Sequence, residues 1–415
     1  MEEEFYKTPE GNWSAPLPLR QHRPRLENNR DQVFKRTENL VKSLQRNHVK
    51  QRQFCDFMQG MFDKQHAELA PSLESGEECR YLPIFPVYHP KKPGKIRVVF
   101  DSSAKYNGYS LNDVLLTGPD VTNSLVGVLL KFRKEKVAIT ADVEKMFFNF
   151  NVHRQYRNLL RFIWFKDNDH TKDLIDYRMR VHVFGNSPSP AVATIGLRKS
   201  ACNHADQSLC DEVCDFVKNH FYVDDGLISS VDAQSAVNLM KKTQRRLKQE
   251  GNLNLLKISS NNADVLGSFS PEDLAKDLNA MDFDTSTANV QRSLGLYWEV
   301  KSDTFQYKVC CEEKPSTKRG ILSTVNSVFD PLGFVAPVLL GGRLILRNII
   351  QTGKIDWDEP IPDHIESEWT SWRKSLKDSQ GLAIPTKRIP TLAYWQVQGK
   401  NYTYSRMLLR KPSEQ

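Results

Sequence analysis

HFYVDDGLISS, residues 220–230, decides how the rest of the chain is read. Two apolar runs, Phe221-Tyr222-Val223 and Leu227-Ile228, flank an adjacent pair of carboxylates and a glycine, and Asp-Gly between β-prone runs is a strong hairpin signal. The pattern predicts a turn at Asp224 and Asp225. Two neighbouring acids there repel each other, which costs stability unless a cation sits between them or one takes up a proton. A solvated turn gives the same pattern on this stretch alone, because Asp and Gly are ordinary turn residues.

A third carboxylate lies upstream in KVAITADVEKMFFNF, residues 136–150. Val137, Ile139 and Ala141 alternate at strand period, and Asp142 falls where that pattern ends. Hard divalent ions take oxygen ligands, and a pair of them held by carboxylates on adjoining strands is the two-metal clamp of phosphoryl transfer. Asp142, Asp224 and Asp225 are therefore the candidate catalytic and metal-binding residues.

The F/Y-x-D-D hairpin, preceded by D-V-E-K-M-F-F, resembles motifs C and A of reverse transcriptases, and most of all those of the polymerase of Pao/BEL-type LTR retrotransposons. That resemblance implies an α+β right-hand polymerase fold of fingers, palm and thumb with a helical N-terminal extension. It divides the chain into a lead-in with amphipathic helices (1–80), fingers and palm (81–310) and a thumb or connection-like region (311–415). It also implies RNA-directed DNA polymerase activity with two Mg²⁺ ions, for which Mn²⁺ could substitute. The partners would be an RNA or DNA template with its primer and deoxynucleoside triphosphates.

Further motifs agree. Lys95-Ile96-Arg97 with Asp101 resembles a fingers motif whose cations meet the triphosphate, following a turn read at Pro93-Gly94. Phe147 stands at the family position of the aromatic steric gate against a ribose 2′-hydroxyl, while Phe148 and Phe150 read as core. Gly185 and Ser189 match the motif B pattern, with Phe184 where retroviral enzymes have glutamine, as in Pao/BEL polymerases. Ser189-Pro190 reads as an N-cap followed by proline at the first helical position. Lys257, in LLKI, occupies the place of a lysine proposed to protonate the pyrophosphate leaving group; a lysine there is otherwise simply exposed. RSLGLYWEV, residues 292–300, resembles the primer-grip hairpin.

Composition is compatible with this reading. The 415 residues are 39% hydrophobic and carry 58 basic against 50 acidic side chains, a net +8 that suits a phosphate-backbone partner without requiring one. The acidic start, MEEEFYK, has no apolar signal core, and the longest apolar stretch is too short to cross a bilayer. The expectation is an intracellular protein without a membrane partner, cytoplasmic in the first instance, with the nucleus left open. Seven cysteines without an evident framework fit reduced thiols. Cys202, His204, Cys210 and Cys214 have the residue types of a zinc site, but their spacing matches none of the common pairs, and small buried hydrophobes are the plainer reading.

Residues 1–29 are rich in Pro and Arg and read as an extended lead-in, followed by two amphipathic helices between Asp31 and Leu69. Asp232 is expected to cap a helix ending at Gly251, and Asp363-x-x-Glu366 to form a capping box before the stripe Ile365, Trp369, Trp372 and Leu376. The 34 residues after Gly381 leave too little chain for a ribonuclease H domain beyond the thumb. Two other functions fit the same acids. One is a catalytically inactive, nucleic-acid-binding remnant of a retroelement; the other is a metal-dependent nuclease, which would leave Phe147 and Ser189-Pro190 unexplained.

Overall fold

The computed structural model describes residues 1–89, 92–202, 210–275, 290–307, 314–353, 355–379, 383–385, 394–397 and 400–403. Two compact units interleave along the chain. One gathers Met1–Thr122, Val143–Lys218 and Lys241–Leu255; the other gathers Asn123–Asp142, Asn219–Met240 and Leu256–Gln415.

In the first unit the two expected helices form as Arg30–Gln45 and His48–Asp63. Each buries one stripe, Val33 and Leu44 in the first and Phe54, Met58 and Met61 in the second. Asn47 opens the second helix by accepting the Lys50 N–H at 3.1 Å, which satisfies one of the amides left unpaired at a helix start. The strands Ile84–His89 and Lys92–Phe100 pair antiparallel, His89 opposite Lys92, so Pro93 and Gly94, expected as a turn, lie within a strand. A three-stranded sheet runs Ala67–Leu69, Leu174–Met179, Arg161–Phe165. Phe162, Trp164, Tyr177 and Met179 feed the main core from it.

The lead-in is more than extended chain. Tyr6–Lys7 pairs antiparallel with Trp13–Ala15, which in turn runs parallel to Asn151–Val152. Trp13, Ala15, Leu17 and Leu26 are buried, and the Trp13 indole donates to Ser200 Oγ at 2.9 Å. No local period announces this docking, because beyond that hairpin the contacts are made to distant parts of the chain.

Helix Ser189–Cys202 is packed all along its length, with Ala191, Val192, Ala193, Ile195 and Leu197 buried. Ser189 is its first helical residue and not its cap: the hydroxyl donates to the Val183 carbonyl at 2.8 Å. Cys202 is joined to Cys214 of helix Cys210–His220 by a disulfide, their Cα atoms 5.0 Å apart. The expectation of reduced thiols fails for this pair, because two helices bring together residues twelve positions apart. The bond also removes two of the four zinc donors considered above, while His204 and the Cys210 side chain lie outside the described residues. Cys55 and Cys79 are free thiols.

The second unit holds a four-stranded sheet in the order Phe221–Tyr222, Asp225–Ser230, Val137–Val143, Leu255–Ser260. Helix Leu125–Phe132 covers it through Val128, Leu129 and Phe132, which share a core with Ala138 and Leu227. A second sheet runs Val290–Ser293, Leu296–Glu299, Thr304–Gln306, Ala383–Pro385. Its first two strands form the hairpin expected from RSLGLYWEV, turning at Leu294 and Gly295, both at positive φ.

Asp232 caps helix Ala233–Gly251 as expected, accepting the Ser235 N–H at 2.8 Å. In helix Asp363–Asp378 the residues Ile365, Trp369, Trp372 and Leu376 are buried, the two indoles stacked at 4.9 Å, so the stripe is core. The capping box does not form. Pro362 precedes the helix without a side-chain cap, and Glu366 instead accepts the Ser316 hydroxyl at 2.7 Å. Among the described residues no helix is long and apolar enough to cross a membrane.

Burial pushes the His182 imidazole, in the first unit, down to about 4. The unfolded chain takes up a proton near pH 6.5 and the folded chain only near 4. The stability this side chain contributes is therefore complete above pH 6.5 and lost as pH falls towards 4. Urea unfolding between pH 7 and 4 should show a shallower acid decline in His182→Gln than in the wild type; equal slopes would contradict the burial argument.

Candidate functional site

The hairpin turn consists of Val223 and Asp224, one residue earlier than Asp-Gly suggested: Tyr222 pairs with Asp225 and Phe221 with Gly226. Asp225 therefore lies in a strand. Gly226 is needed there because a Cβ would stand 2.6 Å from the Phe221 ring. The turn instead puts Val223 at φ 59°, a left-handed conformation that costs a β-branched residue on the order of 1–3 kcal/mol.

The neighbouring strand supplies the third acid. Asp225 is the register partner of Asp142, followed by Gly226 with Ala141 and Leu227 with Thr140. Residues directly opposite in an antiparallel pair share a face with Cβ atoms about 4.5–5.5 Å apart, and like charges so placed are destabilising. Burial first, then the Asp224 and Asp142 carboxylates, push the Asp225 carboxyl up to about 7. Lys257 pulls the other way: its ammonium lies 2.6 Å from Asp142 Oδ1. That lysine stands at φ 55° on strand Leu255–Ser260, a second left-handed residue beside the acids. Strained backbone collects at functional sites because only the surrounding structure can hold it.

The donor set fits a hard divalent cation in chemistry and in charge, since three carboxylates with one raised pKa is the imbalance that such an ion relieves. As they stand, the side chains are not closed round one. Among the described residues no group of three or more His, Cys, Asp or Glu side chains could hold a metal ion, and Lys257 occupies one Asp142 oxygen. The Lys257 side chain is 63% exposed, so the pair is worth only about 0–1 kcal/mol and yields readily to a stronger cation.

The other expected residues lie in the first unit. Phe147, half-buried, sits on the short 3₁₀ helix Met146–Asn149, and its ring meets Phe184 edge-on at 4.5 Å. Phe148 and Phe150 are core as expected. Phe184 is exposed and also touches Phe148, at 5.5 Å, so it positions the Phe147 ring, a role that Phe184 as a departure from glutamine did not reveal. Gly185 has φ 99°, and its carbonyl accepts from Asn112 Nδ2 at 2.8 Å. Ser189 is buried and therefore shapes the loop more than it meets a ligand. Arg97 is exposed on the strand Lys92–Phe100, which also carries Lys95, whose side chain lies outside the described residues.

Comparison with known proteins adds two findings. Residues 317–399 match the family described as Pao retrotransposon-like RNaseH-like domain, which makes this segment similar to retroelement proteins. Over 94% of its length the chain has a mixed α/β fold similar to that of a foamy viral protease-reverse transcriptase solved in complex with double-stranded DNA, with TM-score 0.50 and 14% identity. It spans 56% of that neighbour's chain. No curated protein matches the sequence. The family match falls on the segment read above as thumb or connection, so the number of residues after Gly381 does not decide whether an RNaseH-like domain is present. What is described there is three helices, Lys318–Val325, Ala336–Thr352 and Asp363–Asp378, with strands Ala383–Pro385 and Tyr394–Val397.

Removing the charge of Asp225 should stabilise the metal-free protein. With chelator present, Asp225→Asn should raise the unfolding free energy at pH 8 by roughly 1–4 kcal/mol, and the gain should shrink as pH falls below 7 and vanish only below the unfolded carboxyl's 3.8, where both states are protonated. A variant less stable at pH 8 would show that the acids are not in electrostatic conflict.

Proposed function

We propose that the chain is an RNA-directed DNA polymerase of retroelement type, extending a primer with deoxynucleoside triphosphates on an RNA or DNA template. The observation that carries this reading is the register that sets Asp225 opposite Asp142, with Asp224 on the adjoining turn. In the reaction the primer 3′-oxygen bonds to the α-phosphorus of the triphosphate, the 3′-hydroxyl proton departs, and the bond to the β-phosphate breaks to release pyrophosphate. Mg²⁺ or Mn²⁺, held by Asp142, Asp224 and Asp225, would supply the positive charge that stabilises the attacking and leaving oxygens.

The remaining residues of the chain have separable tasks. Lys257, exposed and only weakly tied to Asp142, is available to give a proton to the leaving pyrophosphate. Arg97, exposed on its strand, supplies charge-assisted hydrogen bonds to phosphate, with Lys95 on the same strand. Phe147, buttressed by Phe184, excludes a ribose 2′-hydroxyl. Backbone phosphates of template and primer account for a basic chain, and binding should weaken as salt rises.

The family match favours a second reading, cleavage of RNA by an RNaseH-like segment. Several acids of that segment already have structural work. Asp330 accepts the backbone N–H groups of Phe334 and Val335, at 3.0 and 2.8 Å, and Asp358 pairs with Arg319 at 2.7 Å. Asp330 is held by the backbone, whereas the exposed Asp358–Arg319 pair is weak, so it is the register of Asp225 with Asp142 that makes polymerisation the stronger reading.

Purified protein should extend a primer on an RNA template only with Mg²⁺ or Mn²⁺, and Asp224→Asn should lower incorporation by more than about a hundredfold with an unchanged melting temperature. Template-primer binding without extension under either ion would support the inactive remnant, and cleavage of an RNA–DNA hybrid without extension the nuclease.

Phe147→Val should raise ribonucleotide use relative to deoxyribonucleotide use in a folded protein, measured as incorporation of each triphosphate. If Phe147 were core, truncation to Ala would cost roughly 3–5 kcal/mol and the protein would simply melt. A folded variant with unchanged sugar preference contradicts the gate.

A further inference from the structure

Within the first unit, a cavity of about 290 Å³ is lined by four cations and two acids: Lys64, Lys145, Arg180 and Lys248 against Glu10 and Glu144. The cations come from separate places in the chain. Lys64 follows helix His48–Asp63, Lys145 follows strand Val137–Val143, Arg180 follows strand Leu174–Met179, and Lys248 lies in the last turn of helix Ala233–Gly251. The dipole of that last helix accounts for one cation at its end, but not for four converging on one space.

Lys64 and Arg180 meet carboxylates, while Lys248 is held by neutral amides. Lys248 Nζ is held by the amide oxygens of Asn252 and Asn254, at 2.8 and 3.1 Å. Arg180 donates to the Gln65 amide at 3.1 Å and stands 3.6 Å from Glu68, a carboxylate that also serves Arg157 and Arg178. Glu144, itself on the wall, pairs with Lys64 at 3.3 Å. His66 also lines the space, stacked on Phe148 with its Nδ1 buried and without a hydrogen-bond partner. Burial and the Lys145, Lys64 and Arg180 charges push its imidazole down to about 4, with Glu144 opposing.

We propose that this cavity binds a small polyphosphate anion, free or carried by a nucleotide, through Lys64, Lys145, Arg180 and Lys248. Phosphate oxygens match both kinds of donor, since a guanidinium can bind them bidentately and an ammonium serves as a point charge. The volume lies just below the roughly 300–1,000 Å³ typical of drug-sized small-molecule sites, which suits a compact anion better than a nucleic-acid strand. Asn252 and Asn254 on the same wall hold the Lys248 ammonium in place. The inference stands on the first unit alone and does not depend on the polymerase reading.

Calorimetric titration of the purified full chain with inorganic pyrophosphate, tripolyphosphate and ATP, in chelator so that no divalent ion contributes, tests it. Saturable binding that weakens with salt is expected, with affinity lowered about tenfold in Lys248→Gln and in Arg180→Gln. Equal affinity for tripolyphosphate and ATP would identify the free anion as sufficient, and tighter ATP binding a nucleotide. The His66 imidazole, followed by NMR, should titrate at higher pH with tripolyphosphate bound, because the anion offsets the surrounding cations. Lys248 is exposed to substitution at a helix end, so Lys248→Gln keeps the test decisive if Arg180→Gln fails to fold. No binding at millimolar tripolyphosphate, or binding indifferent to Lys248→Gln, overturns the proposal. So does an oligonucleotide that binds through Lys248 where tripolyphosphate does not.

Discussion

Asp225 facing Asp142 across two strands is the constraint on which the second unit is organised, because nothing in β-sheet physics favours it. Opposed like charges weaken a ladder, and burial of one of them weakens it further. The surrounding structure holds the pair in place. Ala138 is fixed from both sides, its N–H given to Asn261 Oδ1 at 2.8 Å and its carbonyl accepting Ser260 Oγ at 2.7 Å. Behind the sheet, Leu227 and Ala138 belong to a core with Phe132, Trp298 and Phe305. A one-residue slip in the strand Asp225–Ser230 would separate the acids, and it would also turn Leu227 out of that core. Packing thus enforces a register that electrostatics opposes.

The first unit meets a related problem with cations. Arg80 and Arg161 are almost fully buried and Arg178 nearly so. Buried guanidinium groups are tolerable only when their donors are satisfied. Arg80 reaches the carbonyls of Ala104 and Tyr109, at 2.9 and 2.6 Å, and Arg161 reaches Asn158 and the Pro71 carbonyl, at 3.0 and 2.6 Å. Carboxylates are shared instead of matched one to one, as Glu68 is among Arg157, Arg178 and Arg180. Around the basic cavity of the same unit, four cations face two acids.

What the sequence disclosed follows from how local each signal is. A helical stripe such as Ile365, Trp369, Trp372 and Leu376 needs only its own spacing, and all four are buried. The hairpin was legible because two apolar runs bracket polar residues. Its turn was misplaced by one residue because Gly226 serves the Phe221 ring across the strands and not the turn, which a glycine's turn preference cannot reveal. Ser189 read as a cap because caps are chosen locally, yet its hydroxyl answers the Val183 carbonyl. Glu366 was drawn from its own helix start to Ser316, fifty residues away. The docking of Trp13, the Cys202–Cys214 bond and the buttress of Phe184 on Phe147 are likewise contacts between distant positions, without any periodic trace.

Lys257 links the electrostatics of the site to its proposed chemistry. A protein that kept three carboxylates together without any cation would bear the whole repulsion in its own fold. A buried, rigid counterion would remove that repulsion and block the oxygens that a metal needs. An exposed ammonium on Asp142 lies between these extremes, because it eases the conflict and binds too weakly to hold the position against a divalent ion. Under the polymerase reading one residue therefore has two successive tasks: it shields the acids before catalysis, and its proton is available to the pyrophosphate that leaves.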